Sequence, residues 1–236
     1  ELVEIIKYLK QTFPSIERVT SYARAKTTAK KSLDELTELR QAGLSRLHVG
    51  LESGCDEVLR AIQKGVTQEE HISGGRKVVK SGISLSEYVM PGLGGRKWSE
   101  PHALETARTL NQIDPDFIRL RSLKVLEDSP LHDRLESGEF QELSEDEVVD
   151  EIGLFIENLN CNSYVVSDHM LNLLGEIEGK LPEDKEAMVK IISDYKAMLP
   201  LERSKFRLKR RLGSYLAVYG GLSQELGERV ETALKS

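Results

Sequence analysis

The chain has 236 residues, 39% of them hydrophobic and 31% charged, with Gly 18 and Pro 7 dispersed along it. This length predicts one large domain or one domain with an appendage, and the composition excludes collagen, low-complexity disorder and a disulfide scaffold. Lys+Arg 33 against Asp+Glu 39 gives a net charge of -6, which excludes a global positive field recruiting nucleic acid or an anionic membrane. No apolar run approaches the roughly 20 residues needed to span a bilayer, and the start Glu1-Leu2-Val3-Glu4 is not a signal peptide, so no membrane and a cytoplasmic location are expected. Cys55 and Cys161 are too few for a disulfide framework and wrongly spaced for a CxxC knuckle, so no metal site is expected. A first residue Glu in place of Met suggests a fragment.

Leu2, Ile5, Ile6 and Leu9 recur at helical spacing up to Phe13-Pro14. The β-branched stretch Arg18 to Arg24 predicts a strand. Ser32 with Glu35 three residues on is a capping box that opens a helix closed at Gly43. Leu47 to Ser53 predicts a strand, and Asp56 to Ile62 a helical turn or two. Thr67 to Ser81 predicts a helix, although Gly74 and Gly75 in its middle each cost roughly 1 kcal/mol against Ala. A strand over Ile83 to Met90, a turn over Pro91 to Gly95, a helix over Ser99 to Ile113 and a strand over Phe117 to Val125 follow. Strand and helix thus alternate as in a parallel α/β sheet, wound into an open sheet or a barrel arc. Beyond Val125, Ser144 caps a helix to about Leu159, Tyr164 to Leu174 mixes two spacings, and Gly175 to Pro182 is a polar linker. From Glu183 on the chain is helical, with Met188, Ile191 and Ile192 on one face and Leu208, Leu212, Leu216 and Tyr219 on another.

Ligands of parallel α/β sheets bind at the carboxyl ends of the strands. Gly50-Leu51-Glu52-Ser53-Gly54 puts a carboxylate there, able to bind an amino group or ribose hydroxyls, or else to cap a helix or pair with Lys64 or Arg46. Pro91 to Lys97 lacks the G-K-[ST] ending of a phosphate loop and predicts a sharp turn. Arg119 and Arg121 share a strand face, which suits either an anionic ligand or a buried ion pair. Asp168 cannot readily orient its neighbour His169 as a triad acid would, and a capping or packing role for the Ser167 to Asn172 segment is expected. His48, His71, His102 and His132 share no ligand spacing. Cys55 has no basic neighbour to activate it. The basic run Arg203 to Arg211 could touch RNA phosphates, but its aliphatic ladder predicts the solvated face of a helix.

The segment from Gly50 to Leu59, continuing through Lys64-Gly65-Val66-Thr67, resembles the GLESGSDxVL...KGvT segment of radical S-adenosylmethionine (SAM) enzymes, and differs mainly at Cys55. Tyr88 to Gly95 is similar to the family's GLPGE turn and Asp128 to Leu131 to its GTPL. Ser167 to Leu174 and Gly179 to Asp184 resemble an uncharacterised subgroup. The resemblance implies an α/β fold, part of a (β/α)6 partial barrel carrying the family's strands three to six, followed by an α-helical extension. Its bounds are a barrel part at 1–135, a closing helix and linker at 136–182 and a helical extension at 183–236. It implies SAM and a [4Fe-4S] cluster in the complete protein, a 5'-deoxyadenosyl radical that abstracts hydrogen from an unidentified substrate, and a reductant such as flavodoxin or ferredoxin. By position, Glu52, Ser53, Lys64, Tyr88 and Arg121 correspond to SAM-binding residues. The family's CxxxCxxC cluster loop has no counterpart here, so this chain alone is not expected to hold the cluster. The competing expectation is a non-catalytic half-barrel that binds a protein or RNA partner.

Overall fold

The computed structural model describes residues 1–222 together with 227, 229 and 230, without the side chains of 217–219. The Tyr219 side chain and residues 223–226, 228 and 231–236 of the expected extension therefore lie outside what is described. The elements in order are α1 (Leu2–Thr12), β1 (Val19–Ala23), α2 (Ala25–Lys30), α3 (Leu33–Ala42), β2 (Leu44–Glu52), α4 (Asp56–Ala61), α5 (Gln68–Lys80), β3 (Ser84–Val89) and α6 (Gly95–Ile113). They continue with β4 (Phe117–Leu120), α7 (Pro130–Glu136), α8 (Glu145–Glu157), β5 (Tyr164–Val166), β6 (Gly179–Lys180), α9 (Lys185–Ala197) and α10 (Pro200–Tyr219). One six-stranded sheet runs in chain order from β1 to β6, parallel throughout except for the antiparallel β5–β6 pair.

Local chemistry sets the helix starts. Ser32, Thr67 and Ser144 each accept a hydrogen bond from the N3 backbone N–H, and Glu35, Glu70 and Glu147 reach back in reciprocal capping boxes. Gly43, with φ 121, ends α3 in a conformation that other residues rarely adopt. Alternate residues of β2 and β3 (Leu47, Val49, Leu85) enter an apolar layer with Leu36 and Leu39 of α3 and Ile72 and Val78 of α5. Residues of the opposite parity (Arg46, His48, Tyr88) occupy the sheet's other face, away from the helices, called the inner face below. A second core joins α6, α8 and α9 to β4 and β5 through Ala107, Leu110, Ile156, Val165 and Met188.

The two glycines inside α5 are packing devices. A Cβ on Gly74 would stand 2.7 Å from Thr28 Oγ1 and 2.9 Å from the Ala29 backbone nitrogen of α2, and one on Gly75 would stand 2.7 Å from the Ile113 side chain of α6. Their low helix propensity is outweighed by the close approach that they permit.

Several expectations need correction. Gly175 to Pro182 is not a linker: Gly179–Lys180 pairs with β5, and Ile177 and Leu181 are buried. β4 ends at Leu120 rather than Val125: the chain runs on beside the turn after β3, with Arg121 N–H on Val89 O and Leu123 N–H on Pro91 O, while Ser122 N–H on the other side is taken by the Asn172 side chain and not by a strand. The helical carboxyl-terminal stretch breaks at Met198 and Leu199, which are extended ahead of Pro200. Among the described residues no helix is long and apolar enough to cross a membrane.

Candidate SAM site at the strand ends

At the end of β2 the backbone of Glu52 takes a positive φ of 61, uncommon for a residue with a side chain. Its carboxylate folds back over Gly50: a Cβ there would lie 2.1 Å from Glu52 Oε1 and 3.1 Å from Lys64 Nζ, so a side chain at Gly50 would displace the Glu52–Lys64 pair from this position. Lys64 Nζ donates to Glu52 Oε1 at 3.1 Å, with both side chains about one quarter exposed. Of the alternatives open for Glu52, the ion pair with Lys64 is the one formed. Helix α4 begins at Cys55 without a side-chain cap, which removes the capping role. A pocket of about 530 Å³ opens beside the pair, bounded by Arg24 and Lys26 after β1, by Gly50 and Glu52, and by Gln63 to Val66.

Ser53 lies beneath this rim, fully buried. Its hydroxyl accepts the Cys55 N–H at 3.0 Å and meets His102 Nδ1 at 2.8 Å, while His102 Nε2 lies 3.1 Å from Met90 O. A carbonyl only accepts, so Nε2 carries the proton and Nδ1 takes the Ser53 hydroxyl hydrogen. Burial holds the His102 pKa at about 4, which keeps the ring neutral. Glu151 of α8 fixes the next strand end by accepting from Gly92 N–H at 2.7 Å and from the Ser99 hydroxyl at 2.6 Å. The Pro91 to Gly95 segment is the sharp turn expected, with φ of 88 at Gly92 and 55 at Gly95. Glu87, buried under β3 and without a hydrogen bond at Oε2, has its pKa pushed up to about 8 by desolvation and then by the Glu52 carboxylate.

Tyr88 sits on the inner face, stacked on His48 at 5.6 Å, and His48 on Tyr22 at 5.1 Å. The Arg121 guanidinium lies 5.3 Å from the Tyr88 ring centre. Arg119 and Arg121 both donate to Asp168, at 3.0 and 2.7 Å, an ion pair whose acid is half exposed and not the buried pair expected. The hydrogen bond from Arg121, ahead of opposing burial, holds the Asp168 carboxyl below its ordinary value. Asp168 is thus committed to the arginines, and His169 Nδ1 accepts from Leu171 N–H, so the two form no triad pair. Asn172 ties the β4 and β5 ends together through Leu120 O, Ser167 and Ser122 N–H. The structure therefore brings Glu52 with Lys64 and Tyr88 with Arg121 to one edge and puts Ser53 beneath it. Sequence reasoning missed Glu151, His102 and the Tyr22–His48 stack. The alternation of Arg46, His48 and Gly50 along β2 was the signal that could have found the last.

The arginines of the basic run face acidic partners. Arg203 and Arg207 reach Asp146, Arg211 pairs with Glu145, and Arg210 pairs with Glu176. This differs from the solvated face that the sequence predicts, because α10 lies against the acidic first turn of α8.

A chain-order parallel sheet backed by helices, with charged groups and turns at its carboxyl edge, defines a TIM-barrel-like half-barrel. Residues 1–107 match the model of the Radical SAM superfamily. A tRNA uridine(34) acetyltransferase of Methanocaldococcus infernus is 24% identical over 119 residues, 50% of this chain and 22% of that protein. An uncharacterized protein of Methanocaldococcus jannaschii is 26% identical over 132 residues, 56% of this chain and 40% of that protein. Among solved structures, the archaeal Methanocaldococcus infernus Elp3 with an N-terminal deletion superposes with a TM-score of 0.57 at 18% identity, over 77% of this chain and 42% of that one. Methylornithine synthase superposes with a TM-score of 0.50 at 15% identity, over 80% of this chain and 49% of that one. The superfamily match thus covers the first 107 of 236 residues, and the two solved structures share the fold. It spans 22% and 40% of the length of these two sequence relatives.

Proposed function

We propose that the chain is the carboxyl-terminal portion of a radical SAM iron-sulfur enzyme and that Glu52, Ser53, Lys64, Tyr88 and Arg121 form its share of the SAM site. The observation that carries this reading is the Glu52 carboxylate, held at positive φ over Gly50 at the mouth of a 530 Å³ pocket. Backbone strain of this kind persists where surrounding structure over-determines it, and functional sites are where it clusters. The residues suit SAM. A carboxylate accepts from its ammonium and ribose hydroxyls, Lys64 with Arg24 and Lys26 complements its carboxylate, and the Tyr88 ring backed by Arg121 offers a face to the adenine. Ser53 acts from below, fixing the turn that presents Glu52. When bound, SAM supplies the radical chemistry of the family, and a reductant of the flavodoxin or ferredoxin kind is implied with it.

The residues do not fit the cluster. Cys55 donates to Glu57, Cys161 lies with Ser163 in a different apolar cluster, and burial raises both thiols above their ordinary pKa. Among the described residues no group of three or more His, Cys, Asp or Glu is placed to hold a metal ion.

The alternative is a non-catalytic half-barrel that binds a protein or RNA partner; its RNA form draws no support from Arg203, Arg207, Arg210 and Arg211, which are engaged within the chain. Calorimetric titration of SAM into the whole reconstituted protein tests the proposal. Glu52→Ala is expected to weaken binding about ten- to hundred-fold, through loss of a hydrogen bond to a charged group worth about 1.5 to 3 kcal/mol. Unchanged affinity in a folded Glu52→Ala variant retires the site.

A further inference from the structure

The backbone around Glu52 is a strained turn. Ser53 N–H donates to Leu51 O at 2.8 Å, and this bond across one residue, with the φ of 61 at Glu52, makes a γ-turn of positive φ, the rare and strained form. The strand pairing slips at the same place: Gly50 is the register partner of Tyr88 and Glu52 that of Val89, so Leu51 is an extra residue on β2. A bulge of this kind re-aims the side chain that follows it. Strain persists only where neighbouring groups hold it.

Two side chains of α6, His102 and Thr106, supply that hold. They stand four residues apart, share one face of the helix and are both buried. The Thr106 hydroxyl accepts from Gly54 N–H at 2.8 Å. His102 Nδ1 accepts from the Ser53 hydroxyl at 2.8 Å, and its Nε2–H donates to Met90 O at 3.1 Å. Met90 N–H in turn donates to Glu52 O at 3.0 Å, which closes a ring of bonds through Glu52, Ser53, His102 and Met90. Gly54 seats the turn directly on the helix, since a Cβ there would stand 2.4 Å from both Glu105 O and Thr109 Oγ1. Neither His102 nor Thr106 bonds the Glu52 carboxylate, whose partner is Lys64.

We propose that His102 and Thr106 are positioning residues: they hold the Glu52 turn in its strained form, with the carboxylate over Gly50 at the pocket mouth, and they act on a bound ligand only through Glu52. That the ligand is SAM rests on the reading above; the hold on the turn does not. If the two side chains served only to satisfy buried donors and acceptors, their loss would cost stability and leave the turn as it is.

His102→Gln can keep a donor for Met90 O while losing the acceptor for Ser53, and Thr106→Val keeps the shape while leaving Gly54 N–H unmet. Each is made in the parent and in Glu52→Ala, with the melting transition checked first, and either one folded suffices. In this chain, isotopically labelled, the positive φ of Glu52 gives a strong cross-peak between its own amide and Hα protons, which should weaken in each variant and stay strong in Thr106→Ser, where the hydroxyl is kept. In the whole reconstituted protein, calorimetric titration should show SAM bound about five- to tenfold more weakly by each variant, with no further loss in the Glu52→Ala background. A cross-peak of parental strength in the folded variants would overturn the proposal. Affinity losses that add to that of Glu52→Ala would overturn it as well, because they would show a path that bypasses the carboxylate. A weakened cross-peak with unchanged SAM affinity would uphold the hold on the turn and count against the SAM site alone.

Discussion

Glu151 Oε1 stands 3.7 Å from His102 Nε2, and the two buried groups do not form an ion pair. Each is turned to a backbone partner, Glu151 to Gly92 N–H and His102 to Met90 O, so both hold the turn after β3 and neither relieves the other's burial. Desolvation pushes Glu151 up to about 7 and His102 down to about 4.

These shifts act on stability in opposite directions. For Glu151 the folded pKa lies above the ordinary 4.5, so between pH 4.5 and 7 the unfolded chain loses a proton that the folded one keeps, and stability falls as pH rises. For His102 the folded value lies below the ordinary 6.5, so stability falls as pH drops from 6.5 towards 4. Glu151→Gln keeps Gly92 N–H on its amide oxygen, lets the Ser99 hydroxyl turn to accept from its amide NH2, and removes the carboxyl's titration. Denaturant unfolding should show it more stable than the parent by about 1 to 3 kcal/mol at pH 8 and no different near pH 4.5. A constant difference at the two pH values would refute this account.

Gly74→Ala tests the packing of α5 against α2. Helix propensity alone favours alanine by about 1 kcal/mol. The added Cβ would lie within 3 Å of Thr28 Oγ1 and of the Ala29 backbone, so overpacking is expected to win and destabilise the protein by about 1 to 3 kcal/mol. A stabilised variant would show that α2 yields freely.

The outer edge of β1 pairs with no strand among the described residues, and Leu2, Ile5, Tyr8 and Phe13 of the neighbouring segment are exposed. Open edges beside apolar surface template association. Light scattering should therefore show this chain above its monomer mass as concentration rises, and Thr20→Lys on that edge should reduce the effect. A sharp-melting monomer at all concentrations would contradict it.

Anaerobic reconstitution of this chain should leave iron well below four per chain, since Cys55 and Cys161 sit in different apolar clusters. Stoichiometric four-iron uptake would show a rearranged site.

What the sequence made legible follows its strongest local signals. The capping boxes at Ser32, Thr67 and Ser144, the turn at Gly92 and the alternation of strand and helix all announce themselves within a few residues. Helix α2 went unread because Ala25 to Lys30 carries no apolar period; it is held by a glycine face of α5 far along the chain. β6 escaped because two residues cannot display a period, and β5 supplies its partner. At the site, Glu52 and Lys64 were legible as a pair, whereas the choice of Asp168 by both arginines depends on where β5 comes to rest beside β4.

Because the strands lie in the sheet in the order of the chain, each one meets the strand made just before it. Every pairing closes a loop of modest length, and loop-closure entropy grows only slowly with size, so no step must wait for a distant segment. A nascent chain can add one βα unit after another to a growing border as it leaves the ribosome. The short antiparallel β6 turns the last border back on itself, giving this vectorial process a defined stop on the late-synthesised side.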